Sequence, residues 1–195
     1  MYSNAVSYVH EVLSQRIKKG DVVIDATIGN GWDTAFMSEI VGETGVVYGF
    51  DIQQIAIDVT HARLKGAKAD VRLLLQSHEH ILSTISTNHI GQVSAITFNL
   101  GYLPGGDQQI STLAATTRIG LEQARSALSS SGVITVVCYQ HAEGEAEIAI
   151  IREYLSQWPQ YRYTVVEVAF INQIHKPPVV FVVTARPYNP DDLSV

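Results

Sequence analysis

The sequence predicts an α/β fold: a seven-stranded, mostly parallel sheet with helices on both faces and an antiparallel hairpin at the C-terminus. Three observations carry this. Apolar runs at 22–26, 45–51, 70–75, 93–98 and 133–139 alternate with segments of helical periodicity, the order of successive βα units. The last two apolar runs, 161–170 and 179–185, are separated only by 171–178, too short for a crossover helix, so they pair antiparallel. The first two runs each close on an acid, Asp25 and Asp51, and a glycine turn, Gly29-Asn30-Gly31, follows the first.

In chain order, Val6, Val9, Leu13 and Ile17 give residues 4–18 one apolar helical face, which Lys18-Lys19-Gly20 ends with basic residues and a glycine. The buried strand 22–26 leads through the glycine turn into a helix over 33–41, stopped at Gly42. After the second strand, 52–64 reads as helix with Ile55, Val59 and Ala62 on one side. A short helix over 79–85 follows the third strand. A long helix over 110–128 follows the fourth, and a helix over 143–155 follows the fifth.

A chain of 195 residues fits one domain spanning 1–190, with the polar residues 191–195 as a frayed tail. No apolar run has the length of a membrane span, and Met1-Tyr2-Ser3-Asn4 lacks the character of a signal peptide. The single cysteine, Cys138, excludes an internal disulfide framework and a multi-cysteine zinc site, which points to the cytoplasm. A formal charge of -6 excludes a global basic field, and so a protein that coats nucleic acid non-specifically. A local basic patch around one nucleotide remains compatible with it.

In an open α/β sheet the ligand lies beyond the carboxyl ends of the strands, at the switch point of the strand order. Asp25, Asp51, Gln76-Ser77-His78 and Asn99 converge on that edge from four strands. The turn, Asp25-x-Thr27-x-Gly29-x-Gly31 with Asp33 and Thr34 beyond it, is rich in acids. That is poor for a pyrophosphate but suits a cationic nucleoside, and S-adenosylmethionine carries both a sulfonium and an ammonium. The glycines alone require no more than a tight turn, and Asp51 could equally cap the following helix; the converging acids favour the cofactor. His78 and His80 point to different sides of a helix, so no metal site is expected, and His10 and His61 read as solvated or capping residues. Cys138, inside a buried strand, packs as a small hydrophobe, which disfavours C5 methylation of a pyrimidine through a cysteine nucleophile.

Five segments then carry a resemblance: Asp25 to Thr34, Phe50-Asp51-Ile52-Gln53, Ser77-His78-Glu79, the run Asn99-Leu100-Gly101-Tyr102 onward to Asp107, and Asn172-Gln173 with Pro177-Pro178. The chain resembles the class I, Rossmann-like S-adenosylmethionine-dependent methyltransferases. More narrowly, it resembles a bacterial family of tRNA 5-aminomethyl-2-thiouridine methyltransferases long labelled rRNA methylases. The resemblance implies S-adenosylmethionine as cofactor, the anticodon region of tRNA as partner, and conversion of the 5-aminomethyl group of a wobble 2-thiouridine to 5-methylaminomethyl. Asn30 and Asp33 would contact the methionine end of the cofactor, Asp51 and Gln53 its ribose and adenine, and Ser77 and His78 would close over the adenine. Asp25, Thr27, Gly29, Gly31 and Thr34 complete the turn.

Asn99 to Tyr102 is similar to the Asn-Pro-Pro-Tyr loop of amino-methylating enzymes, in which an amide or backbone carbonyl holds the amine and the aromatic stacks on the base. Asp107, Tyr139 and His141 are candidate proton acceptors. Arg118, Lys176 and Arg162 would meet RNA, with Tyr102 and Tyr139 as stacking surfaces, and the polar loop holding Asn172 would border the substrate. The chain departs from the family at Gln76, where an Asp is usual, and at 139–145, where a glycine-rich loop is usual. Methylation of rRNA or of a small amine, and a non-catalytic cofactor-binding subunit, remain alternative readings. A homodimer is compatible with the sequence, but no apolar stripe marks its interface.

Overall fold

Asn4 starts the first helix, α1 (Ala5–Arg16), by a reciprocal cap: its side chain accepts the Ser7 N–H at 2.9 Å, and the Ser7 hydroxyl accepts the Asn4 N–H at 3.1 Å. The computed structural model describes residues 3–103, 105, 111–140, 144–174 and 176–187. After α1 come β1 (Val22–Asp25), α2 (Trp32–Val41), β2 (Val46–Asp51), α3 (Gln54–Arg63), β3 (Asp70–Leu75) and α4 (Ile81–Thr84). The chain continues with β4 (Val93–Leu100), α5 (Ala114–Ala127), β5 (Leu128–Cys138), α6 (Gly144–Ser156), β6 (Tyr163–Val168) and β7 (Val179–Ala185).

The seven strands form one sheet in the order β3-β2-β1-β4-β5-β7-β6. The pairs from β3 across to β5 are parallel, while β7 runs antiparallel between β5 and β6. The expected α/β plan with its terminal antiparallel pair is therefore the observed one. The order reverses between β1 and β4, so a cleft opens beyond their carboxyl ends.

Alternation along the strands sorts the core into two layers. Ile24, Ile96, Phe98 and Ile134 face Leu121 and Ala124 of α5 and Ile148 and Ile151 of α6. Val23, Val47, Ala95 and Val133 face Val9 and Leu13 of α1 and Met37 and Val41 of α2. Among the described residues no helix is long and apolar enough to cross a membrane.

Several boundaries differ from the sequence reading for local reasons. The helix expected at 52–64 begins only at Gln54, because Asp51 takes the Gln53 N–H into an extended turn. The helix expected at 79–85 is a 3-10 turn, His78–His80, followed by the single turn of α4. β4 runs on to Leu100, so Asn99 is part of the strand. α5 starts at Ala114, since Ser111 bridges to Tyr102 in extended form. β5 begins at Leu128, directly after α5, because Leu128 already pairs with Val93 before the register shifts. The expected tail at 191–195 lies outside the described residues.

Candidate active site

The turn after β1 is built on two left-handed residues, Gly29 at φ 54° and Gly31 at φ 74°. A Cβ on Gly31 would sit 2.3 Å from Thr60 Oγ1, so this glycine also lets α2 start directly against α3. Asp51, at the end of β2, ties the turn down: Oδ2 accepts the Gly29 N–H and Oδ1 the Gln53 N–H, each at 2.9 Å. The N-cap position of α3 is Gln53, without a side-chain cap, so Asp51 joins the turn to β2 rather than capping that helix. From the far end of α3, Arg63 donates Nε–H to the Asn30 carbonyl at 2.8 Å and lies over the exposed Trp32 ring, 3.3 Å from its centroid.

Beneath the turn, Asp25 is fully buried. It accepts the Thr34 hydroxyl at 2.5 Å and the Thr27 N–H at 3.3 Å. Burial, and after it the nearby charge of Asp33, pushes its carboxyl up to about 7 from the usual 3.8. Asp33, in the first turn of α2, bridges two elements. Its Oδ1 lies 2.6 Å from His10 Nε2 on α1, and its Oδ2 accepts Asn99 Nδ2 at 2.6 Å from β4. The Asn99 backbone N–H donates to Thr27 Oγ1 at 2.6 Å. A carboxylate only accepts, so the amide turns its NH2 to Asp33 and its oxygen the other way. Asp25, Thr27, Gly29, Asn30, Gly31, Asp33, Thr34, Asp51, Gln53 and Asn99 are thus gathered around one turn. Among the described residues no three His, Cys, Asp or Glu side chains are grouped to hold a metal.

The other sequence-selected residues lie farther out or deeper in. His78 is buried: its Nδ1 donates to the Ala26 carbonyl at 3.2 Å and its ring meets Phe98 edge-on. A Cβ on Gly120 would come within 2.5 Å of it, so the ring fills space between β1, β4 and α5. Burial lowers its pKa, which keeps it neutral. Ser77 instead hydrogen-bonds Glu79, and Gln76 accepts the Thr84 hydroxyl at 2.9 Å. Tyr102 is exposed and bridges to Ser111; its neighbour Gly101 exchanges bonds with Thr112 at 2.9 and 3.0 Å, and Leu103 reaches back toward Gly29. Glu147, buried on α6, accepts the hydroxyls of Thr112 and Thr117 and so anchors this loop's base. Tyr139 follows β5 with part of its ring exposed; desolvation and the charge of Asp33 push its phenol up, so it stays protonated and is a poor proton acceptor.

The basic residues expected at RNA are scattered. Lys176 pairs with Glu145 at 2.9 Å, and Arg118 is exposed on α5, near a Glu122 carboxyl held down by the Tyr154 hydroxyl first and by Arg125 after it. Arg162 precedes β6 next to Tyr163, which pairs with Ala185, so it lies at the opposite edge of the sheet from the turn. Asn172 is exposed in the hairpin loop. Asp107 and His141 lie outside the described residues. Sequence reasoning missed three features: His10, taken as solvated, the Trp32–Arg63 stack, and Glu147. For His10 a signal existed, since it follows Val6 by four and precedes Leu13 by three, at the rim of the apolar face of α1.

Comparison with known proteins places the chain in a family. The family model described as "Putative rRNA methylase" matches residues 47–184. A relative from Arabidopsis thaliana named tRNA (mnm(5)s(2)U34)-methyltransferase, chloroplastic, is 36% identical over 188 residues, covering 91% of this chain and 68% of the relative. Among solved structures, a protein from Clostridium thermocellum described as "putative rRNA-methylase" superposes with a TM-score of 0.89 at 38% identity, covering 95% of this chain and 99% of that one. A protein from Streptococcus mutans described as "a putative methyltransferase", in complex with SAH, gives a TM-score of 0.84 at 29% identity, again covering 95% of this chain and 99% of that one. With the sheet order, the acid-rich glycine turn and these matches together, the chain belongs to the class I S-adenosylmethionine-dependent methyltransferases, in the family described as "Putative rRNA methylase".

Proposed function

We propose that this methyltransferase acts on the primary amine of a 5-aminomethyl group on the wobble (2-thio)uridine of tRNA, giving 5-methylaminomethyl. The observation that carries the reading is the Asn99–Asp33 bond at 2.6 Å. It commits the amide N–H to protein and leaves the amide oxygen to accept, which selects a substrate group that donates, such as an amine N–H. The name of the Arabidopsis relative supports the same substrate.

The residues around the turn fit the cofactor. Gly29 and Gly31 let backbone approach without a Cβ, and Asp51 offers acceptors to ribose hydroxyls beside Gln53 and Ile52. Asp33 supplies negative potential for an ammonium and a sulfonium beside Asn30, while the buried Asp25 braces the turn from beneath through Thr34 and Thr27. S-adenosylmethionine, when bound, supplies an electrophilic methyl group. Ser77 and His78 keep a lesser part in this reading: Ser77 at the rim on the adenine side, His78 as support from below.

Asn99 Oδ1 takes an N–H of the amine and aims its lone pair at the methyl carbon, about 3 Å away in a reactive arrangement. The C–N bond forms as the methyl leaves sulfur, and the amine then loses one proton. Tyr139, held protonated, serves as a stacking surface and donor together with Tyr102. Asp107 and His141 are the proposed proton acceptors. Asn172 and Lys176 sit on the hairpin loop proposed to border the RNA, with Lys176 paired to Glu145 in the first turn of α6. The family's description makes ribosomal RNA the second reading, since an amine on it would meet the same acceptor.

Purified protein and methyl-labelled cofactor, offered tRNA and rRNA from cells lacking the protein, test the proposal. Label is expected in the tRNA, in the aminomethyl-uridine nucleoside. Label confined to rRNA would refute it.

A further inference from the structure

His10 reaches Asp33 from outside the βα units. Its Nε2 lies 2.6 Å from Asp33 Oδ1, and its ring stacks on Phe36 with centroids 3.9 Å apart and planes 4° apart. The carboxylate accepts, so Nε2 carries the hydrogen. The contact is largely shielded, with the His10 side chain 26% and the Asp33 side chain 12% exposed. Both oxygens of Asp33 are then committed, one to His10 and one to Asn99 Nδ2. Two anchored oxygens leave the carboxylate a single orientation, and that orientation fixes where the Asn99 NH2 is held, and with it the place of the amide oxygen in the cleft.

The same helix is tied to the hairpin loop. Gln173 Nε2 donates to the Ser3 carbonyl at 2.9 Å, and the Tyr8 ring meets Phe170 edge-on at 6.5 Å. α1 therefore spans from the loop proposed beside the substrate to the acid that holds Asn99.

We propose that His10 is a positioning residue for methyl transfer: by fixing Asp33 it holds the Asn99 amide, whose oxygen faces the amine, at one place in the cleft. This rests on the reading of Asn99 as the amine acceptor. Removing the imidazole frees Asp33 Oδ1 to turn, and the amide, though still NH2-first toward the carboxylate, loses its fixed position. A packing role against Phe36 alone predicts a different pattern, because that role needs a flat ring and not a donor.

The test compares the full-length wild type with His10→Ala and His10→Gln, using the cofactor and tRNA carrying 5-aminomethyl-2-thiouridine. In His10→Ala the single-turnover rate should fall roughly tenfold to a hundredfold, the scale set by misplacing a reacting group. Cofactor affinity should change by no more than about threefold, since the loss is in the transition state and not in uniform binding. His10→Gln places an amide N–H near the position of Nε2 and should recover most of the rate without restoring the ring stack. Equal rates in all three proteins would overturn the proposal, as would equal losses in both variants that follow their melting temperatures. The side-chain amide NMR signals of Asn99 give a readout that needs no substrate. They should shift in His10→Ala and stay near wild type in His10→Gln; unchanged signals throughout would overturn the proposal. If the wild type leaves the tRNA unmethylated, the substrate reading falls while the amide signals still decide the role of His10.

Discussion

Asp33 Oδ2 accepts the Asn99 side-chain amide at 2.6 Å, joining the first turn of α2 to the end of β4 across the switch point of the sheet. The two residues are 66 positions apart, and the bond orients the amide by simple donor–acceptor exclusion.

Asn99→Ala should therefore remove the acceptor and slow single-turnover methyl transfer by roughly a hundredfold, a typical loss for a misaligned reacting pair. Asn99→Asp should fare no better, because it sets a second carboxylate against Asp33. Single-turnover kinetics beside calorimetric cofactor binding check this; a rate within about threefold of wild type in Asn99→Ala would remove the proposed role.

Asp51 holds the turn through two backbone N–H groups and is proposed to meet the ribose. Hydrogen bonds to a charged group contribute about 1.5–3 kcal/mol each, so Asp51→Ala should weaken cofactor binding by roughly tenfold or more. Equal affinities by calorimetry would contradict the assignment.

Asp25 gives a pH signature. Its carboxyl titrates at about 7 in the folded protein and near 3.8 when unfolded. Between those values the folded state binds more protons than the unfolded one, so this group's contribution falls as pH rises through the window and levels off above it. Asp25→Asn removes that titration. Its melting temperature relative to wild type should rise from pH 5 to pH 8, and a difference independent of pH would contradict the burial argument.

The strand ends, and with them the gathering of Asp25, Asp51 and Asn99, were legible because apolar runs and turn residues mark them locally. β3 and β7 match the expected bounds for that reason. Side-chain direction was not legible. His78 turns into the core, Lys176 finds Glu145, and Arg162 falls at the other edge, all decided by tertiary packing. The start of β5 was missed because Ser129 to Gly132 look like a loop while Leu128 already pairs with Val93. The periodicity of α1 showed where an apolar face lies but not that His10 at its rim meets an acid 23 residues later.

Gly31 carries a conformational demand and a steric one. Its φ of 74° is strained for other residues, and an added Cβ would press on Thr60. Gly31→Ala should destabilise the fold by roughly 2 kcal/mol or more, as read by urea denaturation. A stability within about 0.5 kcal/mol of wild type, the range of neutral surface changes, would contradict the close approach of α2 and α3.

Cys138 is buried in β5, and burial pushes its thiol well above the usual range. Cys138→Ala should keep the methyl-transfer rate while costing about 1–2 kcal/mol of stability for the lost packing. Loss of turnover with the fold intact would instead point to a cysteine nucleophile and to methylation at carbon.

The central claim is methylation of an aminomethyl group on wobble uridine, and mass spectrometry of tRNA nucleosides from cells with and without this protein tests it most directly. Loss of the protein should leave 5-aminomethyl-2-thiouridine accumulated and the 5-methylaminomethyl nucleoside depleted. An unchanged tRNA nucleoside profile alongside an altered rRNA profile would contradict it.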